Sequence, residues 1–108
     1  MIDMNELNDL ILLNSCVLKF AIEIEEHTLK YNLTLTLAMS EVANVKKITL
    51  YFRDISNLSV SEFGGGLTQF MHLEVFPQNS GFDRAKYLLK DSEDNRVSFY
   101  FSTVDQIE

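Results

Sequence analysis

Apolar and polar positions alternate with a period of two along most of this chain, after a short opening segment of longer period. In that opening, Met4, Leu7, and Leu10 or Ile11 recur every three to four residues, which lines one face of a helix. Asp3 stands at the N-cap position with Glu6 as its capping-box partner, and Asn14-Ser15 ends the helix. From Val17 to Glu25 the alternation becomes strand-like, with Leu18, Phe20, Ile22 and Ile24 on one face and Lys19, Ala21, Glu23 and Glu25 on the other. Leu29 to Met39 repeats the pattern, placing Leu29, Tyr31, Leu33, Leu35, Leu37 and Met39 on one side. Only Glu26, His27 and Thr28 separate the two runs, which predicts an antiparallel hairpin.

Shorter strands follow. Ile48, Leu50 and Phe52 alternate with Thr49, Tyr51 and Arg53, and Leu58 and Val60 make a brief run that ends at Gly64-Gly65-Gly66. Leu67 to Phe76 places Met71, Leu73 and Val75 opposite Phe70, His72, Glu74 and Phe76. Pro77 and Gly81 bracket a turn or loop. Lys86 to Lys90 and Arg96 to Thr103 flank the acidic segment Asp91-Ser92-Glu93-Asp94-Asn95 as a second hairpin. With no amphipathic helix between strands there are no parallel crossover units. The expectation is a mainly β fold, with an antiparallel sheet of roughly six to seven strands folded as a sandwich or partly open barrel. One short N-terminal helix covers an edge or end, and residues 1–108 form a single domain without repeat or linker.

Charge narrows the functional classes. Sixteen Asp and Glu against nine Lys and Arg give a formal charge of -7 over 108 residues. Proteins that hold nucleic acid by its phosphates need a basic surface, and anionic membranes repel an acidic one, so neither is an expected partner. Hydrophobic residues make up 46%, with eight Phe and four Tyr, which excludes a disordered acidic tail. The single cysteine, Cys16, suits a reducing compartment. Met-Ile-Asp-Met-Asn-Glu carries acids where a signal peptide carries positive charge, and the longest apolar run, Leu10 to Leu13, is far short of the roughly 20 residues that span a bilayer. A cytoplasmic location is expected.

Candidate chemistry is sparse. Gly64-Gly65-Gly66 lacks the following helix and the lysine of a phosphate-binding loop, and reads as a bulge or connection. Asp91, Glu93 and Asn95 alternate like the first ligands of a calcium loop, but Arg96 stands where the turn needs Gly and Ser102 where the loop needs Glu. His27 and His72 have no second metal-type ligand nearby, and Cys16 has no nucleophile motif around it. No catalytic residue, cofactor or metal is therefore assigned. Two features remain. The acid row Glu23, Glu25 and Glu26 is solvated, paired, or presented to a cationic partner. Tyr51, Phe70, Phe76 and Tyr100 fall opposite the principal core face, where a second layer covers them or they anchor an interface.

Lys47-Ile48-Thr49-Leu50-Tyr51-Phe52, then Ile55 to Phe63, then Leu67 to Val75 form a cadence: a strand of the form x-L-x-L-x-F, a V/I-x-x-L-x-L-x-x-F segment, and a strand ending L-E-V. Over residues 46 to 76 this resembles small bacterial domains of the immunity-protein 50 type, thought to neutralise polymorphic toxins made by the same or neighbouring cells. The resemblance implies a protein without catalytic residues that forms a tight complex with a cognate toxin. A toxin that cuts nucleic acid has a basic cleft, which an acidic partner is steered to and blocks. The expected contact residues are Glu23, Glu25 and Glu26 in the first hairpin and Asp91, Glu93 and Asp94 in the last. Other readings are a small β-barrel binding an apolar ligand and a structural or adaptor domain that forms a homodimer.

Overall fold

The computed structural model describes residues 2–42, 44–78 and 86–107. A helix, α1 (Met4–Leu13), precedes eight strands: β1 (Cys16–Ile24), β2 (Tyr31–Ala38), β3 (Lys47–Arg53), β4 (Ser56–Val60), β5 (Leu73–Pro77), β6 (Tyr87–Asp91), β7 (Val97–Phe101) and β8 (Thr103–Gln106). They form two four-stranded antiparallel sheets, ordered β1-β2-β3-β8 and β4-β7-β6-β5, each with two edges and neither closed into a barrel. The strand count exceeds the expected one because the last apolar run is broken at Ser102. There the chain leaves the second sheet: the Ser102 N–H donates to the Arg53 carbonyl (3.0 Å), and the chain continues as β8 beside β3.

Both predicted hairpins form. β1 pairs with β2 from Cys16–Ala38 to Ile24–Tyr31, and β6 pairs with β7 from Tyr87–Phe101 to Lys90–Ser98. The aromatic rings of the two sheets meet in one core. Phe52 of β3 packs edge-on against Phe99 (5.1 Å) and Phe101 (4.9 Å) of β7, a favoured geometry for buried rings. Leu33, Leu35, Leu37, Leu50, Leu89, Val97 and Val104 complete that core, with Leu7 and Ile11 from the helix. Asp3 caps α1 by accepting from the Glu6 N–H (3.4 Å), and the Asn14 backbone and side-chain N–H groups both donate to the Leu10 carbonyl at its other end. The helix also covers a sheet edge: the Asn8 amide accepts from the Val75 N–H (2.9 Å) and donates to the Val75 carbonyl (3.3 Å). One side chain thereby occupies the backbone groups that a neighbouring strand would use on β5.

Three expected phases differ. Leu29 is not the first inward residue of β2; it closes the turn with φ 60° and is 69% exposed. Leu67 to Phe76 is not one strand, since β5 starts only at Leu73. Before it, the Phe70 N–H donates to the Ser15 carbonyl (2.9 Å) and Gln69 bridges to Cys16. That anchor turns Phe70 into the core at 1% exposure and leaves Met71 57% exposed, the reverse of the alternation. The preceding Gly64, Gly65 and Gly66 adopt φ of 97°, 75° and 130°, a run of left-handed backbone that side chains resist. Finally, the register of β1 shifts between Val17 and Lys19, so Cys16 and Val17 are both buried. Beyond the shift Phe20 and Ile22 lie opposite the buried Leu35 and Leu33, yet Ile22 and Ile24 are 45% and 48% exposed because β1 is an edge strand.

Candidate functional site

The first hairpin turn is built around Glu25. Its N–H donates to the Lys30 carbonyl (2.8 Å) and its carbonyl accepts from the Leu29 N–H (2.8 Å). Its carboxylate accepts from the N–H of His27 (3.1 Å), the N–H of Thr28 (2.9 Å) and the Thr28 hydroxyl. These bonds, the hydroxyl first and then the two backbone N–H groups, hold the carboxyl below its ordinary pKa. Glu25 is thus committed to its own turn. Glu23, opposite Asn32 on the outer face of the first sheet, and Glu26, in the turn, are exposed and have no ion pair among the described residues.

Under this turn lies an open cleft of about 430 Å³, whose lining includes Lys30, Asn32, Tyr51, Arg53 and Asp54. Its polar groups are matched to one another. Asn32 donates to the Tyr51 hydroxyl (2.9 Å) and accepts from the Asp54 N–H (3.0 Å). Lys30 faces the buried Asp54 (3.9 Å), and Arg53 pairs with Asp105 (2.9 Å) while covering the Tyr51 ring (5.3 Å). Among the described residues no histidine or cysteine lines the cleft, and the one carboxylate set against a hydroxyl there, Glu25 on Thr28, is taken up by the turn's own N–H groups. The chemistry it offers is a surface of alternating charge. Sequence spacing did not single out Lys30 and Arg53; they approach because Leu33 pairs with Phe52, which sets the ends of β2 and β3 side by side.

The second acidic turn uses the same device in a different setting. Asp91 is 2% exposed. Its carboxylate accepts from the N–H groups of Glu93 (3.2 Å), Asp94 (3.2 Å) and Arg96 (3.3 Å), and the Arg96 Nε lies 3.5 Å away. Burial pushes this carboxyl upward, but the three backbone N–H groups together with Arg96 outweigh it and leave the pKa below its ordinary value. Arg96 in turn donates to the Gln69 carbonyl and covers the Phe70 ring (5.5 Å). Asp91 is therefore a tertiary anchor. Glu93 is exposed and faces His72 (3.0 Å), and Asp94 is exposed.

The two turns stand at opposite ends of β1. Gln69 and Phe70, held by Arg96, join the chain at Ser15 and Cys16, where β1 begins; the Glu25 turn follows Ile24, where it ends. Nine strand residues separate them, roughly 30 Å. The six acids expected to contact a partner thus divide into two groups that share no patch. Among the four aromatic residues expected on the outer faces, Phe70 is in the core, Tyr51 lies under Arg53, Phe76 lies under Lys90 (5.8 Å), and Tyr100 is half-buried. Cys16 is a buried free thiol, and His27 is exposed in its turn.

No group of three or more His, Cys, Asp or Glu residues placed to hold a metal occurs among the described residues, and no described helix is long and apolar enough to cross a membrane. Comparison with protein-family models, curated proteins and solved structures finds no match.

Proposed function

We propose that the protein is a non-catalytic, cytoplasmic binding protein of the immunity type, which neutralises a cognate basic toxin by forming a tight complex through an acidic surface. The observation that carries this reading is the state of the acids at the end of the first hairpin: Glu23 and Glu26 are exposed and without ion pairs among the described residues. Uncompensated surface charge steers a cationic partner and excludes anionic ones. Glu93, which faces His72, and the exposed Asp94 beside it form a second acidic face, of which Glu93 is the compensated member. The cadence over residues 46 to 76 supports the immunity-type assignment. The proposed architecture is a β-sandwich, supported by the contact of Phe52 with Phe99 and Phe101 across the two sheets.

The test is co-expression with the toxic reading frame adjacent to the protein's own gene. The expected result is restored growth, a complex of one toxin to one inhibitor chain, and affinity that falls as salt rises. Failure to restore growth, with both proteins soluble, overturns the reading.

A further inference from the structure

The outer edge of β1 divides into a covered part and an open part. At its start the Val17 N–H donates to the Thr68 carbonyl (2.9 Å), and the Ser15 carbonyl accepts from Phe70. The register shift after Val17 then changes which residues face outward. Glu25 bonds across to Lys30, so by strand alternation Lys19, Ala21 and Glu23 direct their backbone groups to β2, whereas Phe20, Ile22 and Ile24 direct theirs away from the sheet. Among the described residues no backbone group meets them. The exposed Ile22 and Ile24 flank this edge, with Phe20 half-buried beside Phe63 (5.6 Å).

Charged edge strands ordinarily resist pairing. Here the charges are self-complementary. We propose that two copies of the chain join β1 to β1 in antiparallel register about a two-fold axis at Ala21, making one continuous eight-stranded sheet from the two β1-β2-β3-β8 sheets. In that register Phe20 of each copy opposes Ile22 of the other, and the pair exchanges N–H···O=C bonds in both directions. Lys19 opposes Glu23 on the outer face, twice, in the closer of the two antiparallel pair types, with Cβ atoms about 4.5–5.5 Å apart. Both residues are exposed and without ion pairs among the described residues, and their spacing along one strand keeps them from pairing within a copy. An axis at Ile22 would set Lys19 against Glu25, whose carboxylate is already bound in its turn. An axis at Phe20 would run the strand residue Glu23 of one copy against Val17 and its covering Thr68 of the other, where the Ala21 axis brings only Glu25, at which the chain turns back towards β2. The Ala21 register is the one that both the charges and the open edge accept. The dimer engages Glu23 and leaves Glu26 free for another partner.

Sedimentation equilibrium on the isolated protein, without any toxin, tests this independently of the proposed function. Wild type is expected to dimerise, and Lys19→Glu and Glu23→Lys are each expected to weaken the dimer about tenfold or more by setting like charges opposite each other. The double variant Lys19→Glu/Glu23→Lys restores the pairs and is expected to recover dimerisation. Circular dichroism of the variants establishes that they fold, as substitutions at exposed sites should. A wild type that stays monomeric at hundreds of micromolar, or single variants that dimerise as wild type does, overturns the proposal, as does a double variant no better than the singles.

Discussion

The Glu25 turn and the Asp91 turn solve one local problem in the same way and differ in what surrounds them. In each, a carboxylate at the end of a strand accepts several N–H groups from the residues just after it, and in each the bonds hold the carboxyl below its ordinary pKa. At Glu25 the carboxylate stays in contact with solvent, so its bonds replace bonds to water and shape only the turn. At Asp91 the carboxylate is buried, and Arg96 links it to the carbonyl of Gln69 and the ring of Phe70. One acid therefore organises a hairpin tip, and the other ties that tip to the segment that covers the start of β1. The acidity of the chain divides accordingly into charge consumed by the fold and charge left at the surface.

The largest effect that follows is on Asp91. Asp91→Ala leaves the Arg96 guanidinium partly buried without its counter-charge and three turn N–H groups without an acceptor; urea unfolding should show a loss of about 3 kcal/mol. A loss no greater than that of an exposed acid would break the contrast. Next, Asp91→Asn combined with Arg96→Met should cost less than the sum of the single changes, with a coupling of about 1 kcal/mol or more in the double-mutant cycle. The pH dependence comes third. A carboxyl whose folded pKa lies below its ordinary value, 3.8 for Asp91, binds more protons unfolded than folded in the window between the two values. Its contribution is present in full above about pH 5 and is lost as pH falls through the folded pKa. The urea midpoint of wild type should therefore drop as the solution is acidified below about pH 4, and Asp91→Ala should flatten that drop. The smallest effect is on Glu25→Gln, which keeps an acceptor in the turn. It should shift the urea midpoint far less than Asp91→Ala, while weakening the Leu29 turn enough to raise amide exchange at His27 and Thr28.

Both hairpins are legible from alternation alone, because β1 with β2 and β6 with β7 pair in register over runs where one face is clearly apolar. The helix is legible too, down to the caps at Asp3 and Asn14. What alternation could not carry is a change of phase. Leu29, Phe70 and Met71 are misplaced by it because a turn at positive φ and an anchor to Ser15 each move the chain by one position, and one position exchanges the faces. The passage of the chain between sheets at Ser102 is a change of phase of the same kind, since the buried positions step from Phe101 to Val104 and a strict period of two runs through Thr103 instead. At the candidate site the acids themselves were visible, but their burial was not. Glu25 and Asp91 read alike in sequence; Asp91 differs because Arg96 meets Gln69 and Phe70, residues far along the chain whose approach no spacing announces.

The division between consumed and presented charge is tested most directly by charge reversal at the two exposed tips in the growth-rescue assay, with survival read at equal inhibitor expression. Glu26→Lys, at the uncompensated end, is predicted to abolish or sharply reduce rescue, while Glu93→Lys, whose carboxylate already faces His72, is predicted to rescue nearly as wild type does. Equal loss in both variants, or loss in Glu93→Lys alone, would contradict the account.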